Sequence, residues 1–221
     1  MEQAVIVDSV RTGLAKSYRG GFNNTRADDM TAHLIDTLLD RHPKVEPSTV
    51  EDVILGCGYP EGSQGTNVAR TSAVLSRLPI SVGGTTVNRF CSSGLQTIAM
   101  AATQIQSGFA DCIMAGGVES ISTTQPDHIN TYMSKNERLL KEKPSIYDAM
   151  GDTAETVAKR YKVSRESQDE YALSSQLRCA EAQNNNLFDG EIAPMKTVMK
   201  VLDKETGEVS DLEHGKSSNS R

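Results

Sequence analysis

The residues best placed to do chemistry lie in Val87-Asn88-Arg89-Phe90-Cys91-Ser92-Ser93-Gly94-Leu95. Thr85, Thr86 and Val87 have strand propensity. After Cys91 the apolar residues Leu95, Ile98, Ala99, Ala102 and Ile105 fall at helical spacing. The segment reads as a strand end, a sharp turn and a cysteine in the first turn of a helix, with Ser107-Gly108 as its stop. A helix N-terminus presents unpaired backbone N–H groups and a partial positive charge. Both favour a thiolate over a thiol, so Cys91 is a candidate nucleophile. The same N–H groups can hold an oxyanion. The plainer reading is a small buried residue in a tight junction, since most free cysteines are inert hydrophobes.

Other reactive side chains carry weaker signals. Cys57, in Gly56-Cys57-Gly58 just past a strand, reads as a small residue in a tight turn, with a pocket-lining role as the alternative. Cys112 lies in an apolar strand pattern and Cys179 on the expected inward face of a helix, so both read as core. His128 follows Pro126-Asp127 in a polar stretch and reads as a solvated loop histidine rather than a base. Gly116-Gly117 suits a turn with positive φ or close packing. Glu119 beside it reads as a hydrogen-bonded structural carboxylate, with an acid–base role as the alternative. Gly20-Gly21 is too isolated to be a phosphate loop, and GxGxxG does not occur.

Positioning these residues requires alternating strands and helices. Ala4–Val7, Val53–Leu55, Thr85–Val87 and Asp111–Ala115 have strand patterns. A helix is expected over Thr25–Arg41, with Met30, Leu34, Leu38 and Leu39 as its stripe and Asp28 and Asp29 near its N-terminus. Another is expected over Asn67–Leu78, with Ala69, Ala73 and Leu78 inward. Apolar strands alternating with helices indicate an α/β fold with a mostly parallel sheet. Residues 120–150 are polar and aperiodic. A helix over Asp152–Tyr161 then places Ala154, Val157, Ala158 and Tyr161 on one face, with Asp152 and Glu155 at capping-box spacing. A last helix, Ser164–Asn186, carries Tyr171, Ala172, Ser175, Cys179 and Ala182 on one face. The expected division is 1–119 and 120–221, with a patternless, frayed tail from Lys204.

At 221 residues the chain suffices for one to one and a half domains. Its net charge of −6 without a basic block argues against a nucleic-acid partner. No apolar run approaches a membrane span of about 20 residues, and no signal or transit peptide pattern opens the chain. The cysteines form no CxxC pair and the four histidines show no metal-ligand spacing. Free thiols in a reducing cytoplasm are the expectation.

Asn88-Arg89-Phe90-Cys91-Ser92-Ser93-Gly94-Leu95-Gln96 resembles the nucleophile segment of the thiolases, the acetyl-CoA acetyltransferase and 3-ketoacyl-CoA thiolase family. Val7–Thr12 resembles the family's opening strand, and Ala115–Ser122 its glycine-rich turn. Met150–Glu155 and Ser164–Asp169 resemble signatures of its loop domain. The resemblance runs in order from residue 4 to about 200, roughly half a usual thiolase, and is expected to fade after Lys200. It implies a thiolase-like αβα layered N-terminal domain with an incomplete, mostly parallel sheet, plus part of a mainly helical loop domain. It also implies that Cys91 takes an acyl group from a CoA thioester, a second acyl-CoA then supplying the attacking carbanion, and that Met150 borders the acyl pocket. Coenzyme A thioester enters as substrate, with no other cofactor and no metal.

The family's histidine base and second cysteine come from later motifs. His214-Gly215-Lys216 and Cys179-Ala180-Glu181 do not resemble them. The expectation is therefore an N-terminal thiolase half that is inactive alone and binds acyl-CoA or CoA weakly or not at all. Its expected partner is a second copy or a complementary C-terminal half, with no nucleic acid and no membrane. The alternatives are a non-catalytic thiolase-fold protein for assembly or regulation, and another cysteine-dependent condensing enzyme such as a ketoacyl synthase. Phe90–Gly94 with Gly116–Ser120 favours thiolase over the synthases.

Overall fold

A computed structural model describes residues 3–214, His214 by its backbone alone. Contacts divide the chain into two units, 1–129 with 190–221, and 130–189. This differs from the expected division at 119/120. The boundary falls ten residues later, and the segment after 190 returns to the first unit. A parallel bridge between Arg11 and Ile192, with an Arg11–Glu191 ion pair at 3.0 Å, makes that return.

The first unit is built on a three-stranded parallel sheet in the order β2-β1-β3, from β1 (Asp52–Gly56), β2 (Gly83–Val87) and β3 (Ile113–Gly117). Asp52 of β1 pairs with Gly83 on one side and Ile113 on the other. A central strand is covered on both faces, so Val53, Ile54 and Leu55 are all buried. Successive side chains alternate across the sheet. Val53 and Leu55 join the main core, with Ile35 and Leu39 of α1 (Ala27–Arg41), Ala69 and Ala73 of α2 (Val68–Leu75), and Leu78 and Val82. On the other face lies α3 (Ser93–Gln106), packed on β1 and β3. These are the expected αβα layers. The stripe of α1 centres on Met30, Ile35 and Leu39, while Leu34 and Leu38 are only half buried. The N-cap of α2 is Asn67, whose side chain accepts from the Arg70 N–H at 3.1 Å.

Within the first unit the structure departs from expectation in several places. Ala4–Val7 belongs to no strand, and Val5, Ile6 and Val7 are exposed. Its apolar β-branched residues have no neighbouring strand among the described residues. The buried side of α3 is Ser93, Thr97 and Ala101, while Leu95 and Ile98 of the predicted stripe are exposed. Small residues let the helix sit close on a glycine-rich sheet face, and Leu95, Ile98 and Ala99 of the stripe are left outward while Ala102 and Ile105 are half-buried. Gly116-Gly117 lies inside β3, so of the two expected reasons for glycine there, a turn or close packing, the second holds. A Cβ on Gly117 would stand 3.0 Å from the Gly56 carbonyl oxygen, so close approach is the reason for glycine there. Last, the tail is not patternless: β4 (Thr197–Leu202) and β5 (Val209–His214) form an antiparallel hairpin. Asp203 Oδ1 accepts the Glu205 and Thr206 N–H groups in its turn, at 2.8 and 3.0 Å. These bonds hold the Asp203 carboxyl below its ordinary range. The Asn23 amide pins the hairpin to the unit, donating to the Lys200 carbonyl at 2.7 Å and accepting its N–H at 2.9 Å. Residues 215–221 of the predicted tail lie outside the described residues.

After the short α4 (Ile121–Thr124) comes the second unit, which contains α5 (Glu137–Glu142), α6 (Met150–Tyr161) and α7 (Arg165–Asn184). Both long helices predicted here form. The N-cap of α6 is Ala149 without a side-chain bond, so the expected Asp152–Glu155 capping box is not made. Ser164 does cap α7, accepting the Ser167 N–H at 3.2 Å. No residue of α6 or α7 is buried, so the predicted inward faces, Tyr161 and Tyr171 included, are open.

Candidate active site

The three parallel strands end side by side, and the candidate residues follow them. Cys57-Gly58 follows β1, Asn88-Arg89-Phe90-Cys91 follows β2, and Val118-Glu119 follows β3. The carboxyl ends of parallel strands are where open α/β sheets build their sites.

Cys91 lies in a 3-10 turn, Phe90–Ser92, one step ahead of α3 rather than within its first turn. The N–H groups of Ser92 and Ser93 are bonded inside this turn, to the Arg89 and Phe90 carbonyls. Its thiol is exposed, not buried in the junction. Phe90 carries the sharp bend at φ 47°, a left-handed conformation that costs a non-glycine residue of order 1–3 kcal/mol. The surroundings hold it there. Asn88 Oδ1 accepts the Phe90 N–H at 2.9 Å. The buried Ser93 hydroxyl donates to the Phe90 carbonyl at 2.6 Å and accepts the Arg89 N–H at 2.8 Å. The Phe90 ring packs edge-on against Tyr59, centroids 6.5 Å apart. In a trans peptide the N–H points opposite the carbonyl. With the Phe90 carbonyl turned to Ser93, the Cys91 N–H is directed away from Ser93.

The turn sits this close to the sheet because Gly56 has no side chain. A Cβ there would stand 2.5 Å from the Ser93 carbonyl carbon and 2.6 Å from the Ser93 Cβ. Thr97, one turn on, is fully buried and its hydroxyl lies 2.8 Å from both the Gly94 and Gly116 carbonyls.

Glu119 is the hydrogen-bonded carboxylate that its position suggested. Its Oε2 accepts the Gly58 N–H at 2.7 Å and its Oε1 accepts from Gln64 Nε2 at 2.6 Å. Gln64 is fully buried, donates also to the Tyr59 carbonyl at 2.8 Å, and accepts the Ser120 N–H. Cys57 is buried with its Sγ 3.9 Å from Glu119 Oε1. Burial, then the negative charge of Glu119, pushes its thiol up to about 11. Cys57 is thus a protonated core thiol, as the turn reading held.

The remaining candidates fall elsewhere. Cys112 precedes β3, half buried against the core, and burial raises its thiol. Cys179 is exposed on α7, correcting the expectation of a core residue. His128 is exposed. Met150 opens α6 and is 71% exposed; it belongs to the second unit, Cys91 to the first. Asn88, Gln64 and Ser93 hold the site, and sequence reasoning does not single them out. Their signal is faint: a polar residue three positions before the cysteine, another two after it, and a lone buried glutamine in a loop.

The fold agrees with the comparisons. The family model for the thiolase N-terminal domain matches residues 4–218, past the point where the resemblance was expected to fade. The chain belongs to this family. It is 38% identical, over 97% of its length and 55% of the relative's, to the 3-oxoadipyl-CoA/3-oxo-5,6-dehydrosuberyl-CoA thiolase of Escherichia coli K12. It is 41% identical to a 3-ketoacyl-CoA thiolase of Bacillus subtilis, over 91% of this chain and 51% of that one. A 3-ketoacyl-CoA thiolase of Aliivibrio fischeri is 40% identical, over 89% and 50%. The chain spans about half the length of the curated relatives it matches.

Proposed function

We propose that this chain is the N-terminal half of a thiolase acting on acyl-CoA or 3-ketoacyl-CoA in the cytoplasm, with Cys91 as the acyl acceptor. The Cys91 thiolate attacks the thioester carbonyl, the carbon–sulfur bond to coenzyme A breaks, and CoA leaves as its thiolate. The acyl group then rests on Sγ until a second acyl-CoA carbanion, or CoA in the reverse direction, takes it. The observation that carries this reading is an exposed cysteine in a strained turn after β2, with the preceding carbonyl bonded to Ser93. Met150 borders the acyl chain in the assembled enzyme.

The chain alone does not turn over. A base to activate the thiol and a second cysteine to move the α-proton have no counterpart in its motifs, and losing members of a catalytic set costs orders of magnitude in rate. The outward Leu95 and Ile98 of α3, and the lack of a further strand beside β2 or β3 among the described residues, support a partner, either a second copy or a complementary C-terminal half. The test is an acetoacetyl-CoA and CoA assay on the chain alone and on the chain joined to the C-terminal half of a relative. The first should show background only. The second should show thiolysis that Cys91→Ser abolishes, and activity surviving that substitution would sink the assignment.

A further inference from the structure

We propose that Glu119 is a positioning residue for Cys91, acting across the sheet's carboxyl edge through Gly58 and Asn88. This rests on the reading of Cys91 as acyl acceptor. The sheet order is β2-β1-β3, and one hydrogen-bond chain crosses the strand ends in that order. Glu119, after β3, accepts the Gly58 N–H at 2.7 Å. The carbonyl of Gly58, after β1, accepts from Asn88 Nδ2 at 3.0 Å. Asn88, after β2, accepts the Phe90 N–H at 2.9 Å. Phe90 is the residue at φ 47°, and its carbonyl carbon begins the peptide whose N–H belongs to Cys91.

Each group suits its place. Two donors, the Gly58 N–H and Gln64 Nε2, converge on Glu119, and an ionised carboxylate is an acceptor only. A glutamine there would offer one acceptor and turn an NH2 against the other donor. The buried Gln64 fixes the carboxylate from behind. Asn88 must donate and accept at once, which a primary amide does. A Cβ at Gly58 would stand 2.8 Å from Glu119 Oε2, so a larger residue would have to displace the carboxylate. The chain therefore holds the Phe90 turn against its own strain and sets the direction of the Cys91 N–H.

The direct test compares two reactions at the same sulfur. Alkylation by iodoacetamide needs an accessible thiolate; acylation by S-phenyl thioacetate also needs a donor aimed at the developing oxyanion. Both rates are read at Cys91 by peptide mass spectrometry. Glu119→Gln and Asn88→Ala should each slow acylation about tenfold, the net worth of one strong hydrogen bond, and leave alkylation within about twofold. The double variant should be no slower than Asn88→Ala alone, because both cut one chain. Unchanged acylation, or both reactions slowing together, would overturn the proposal. Should the unaltered chain acylate Cys91 no faster than the exposed Cys179, the acyl-acceptor reading fails instead. Hydrogen exchange at the Phe90 amide then judges the chain of bonds by itself. It should accelerate about tenfold in Glu119→Gln with the β1 amides unchanged; no acceleration refutes it. If Glu119→Gln also loosens β1, Asn88→Ala at its exposed site decides by the same comparison.

Discussion

The Ser93 hydroxyl donates to the Phe90 carbonyl at 2.6 Å and thereby fixes the peptide that enters Cys91. The same oxygen accepts the Arg89 N–H at 2.8 Å, so one buried side chain closes the turn from both sides. Ser93→Ala should lower stability by about 1–3 kcal/mol, because the Arg89 N–H and the Phe90 carbonyl lose a partner that water cannot easily replace. Urea denaturation should show the midpoint falling with an unchanged slope. A wild-type midpoint would mean that the turn is held without Ser93.

Gly56→Ala tests the close approach beneath the turn. The added methyl would meet the Ser93 backbone at 2.5 Å, and backbone cannot swing aside as a side-chain tip can. A cost of about 1–3 kcal/mol or more is expected, read from the same urea curves. Gly94→Ala is the control, since beyond its chain neighbours and helix backbone no heavy atom lies within 4 Å of where the added methyl would stand.

Cys57 makes stability fall in alkali. Burial and Glu119 raise its thiol from the ordinary 9.0 to about 11, so the folded state keeps a proton that the unfolded chain releases earlier. Its contribution is complete below about pH 9 and is lost as pH rises towards 11, because there the folded state binds more protons. Cys57→Ala should flatten this part of the pH–stability curve. An equally steep decline in that variant would assign the alkaline loss to other groups.

Much of the fold is legible in the sequence because local pattern and tertiary position agree. Val53-Ile54-Leu55 is uniformly apolar and becomes the doubly covered central strand. Ala69, Ala73 and Leu78 join the core as expected, although α2 ends at Leu75 and leaves Leu78 beyond it. Other elements depend on neighbours. Ala4–Val7 has strand residues but no described strand to pair with. The stripe of α3 is legible as apolar, but not as outward, because Gly56 and Gly117 admit Ser93, Thr97 and Ala101 instead. The β4–β5 hairpin escapes a local reading because its polar second strand gains its place from pairing with β4, which is itself anchored by Asn23, 177 residues before Lys200. At the site, Cys91 is legible from its setting between strand and helix. The support from Asn88 is not, since nothing local reveals that Phe90 adopts a positive φ.

The exposed stripe predicts self-association. Leu95 and Ile98 project from α3, and no further strand among the described residues pairs with the outer sides of β2 and β3. Sedimentation equilibrium at micromolar concentration should give a dimer or larger species. Leu95→Glu should shift it towards monomer with the far-UV circular dichroism unchanged, because Leu95 is 73% exposed in the single chain and packs in no core there. A well-folded monomer throughout that range would refute the prediction.

The central claim is that Cys91 accepts the acyl group. The chain holds two exposed cysteines, Cys91 and Cys179, so each molecule carries its own reference thiol. Incubation with S-phenyl thioacetate near neutral pH, followed by site-resolved mass spectrometry, compares them directly. Acylation at Cys91 should outpace Cys179 at least about tenfold, as expected of an oriented oxyanion donor, while iodoacetamide shows a smaller difference. Equal acylation of the two, or preference for Cys179, would contradict the account.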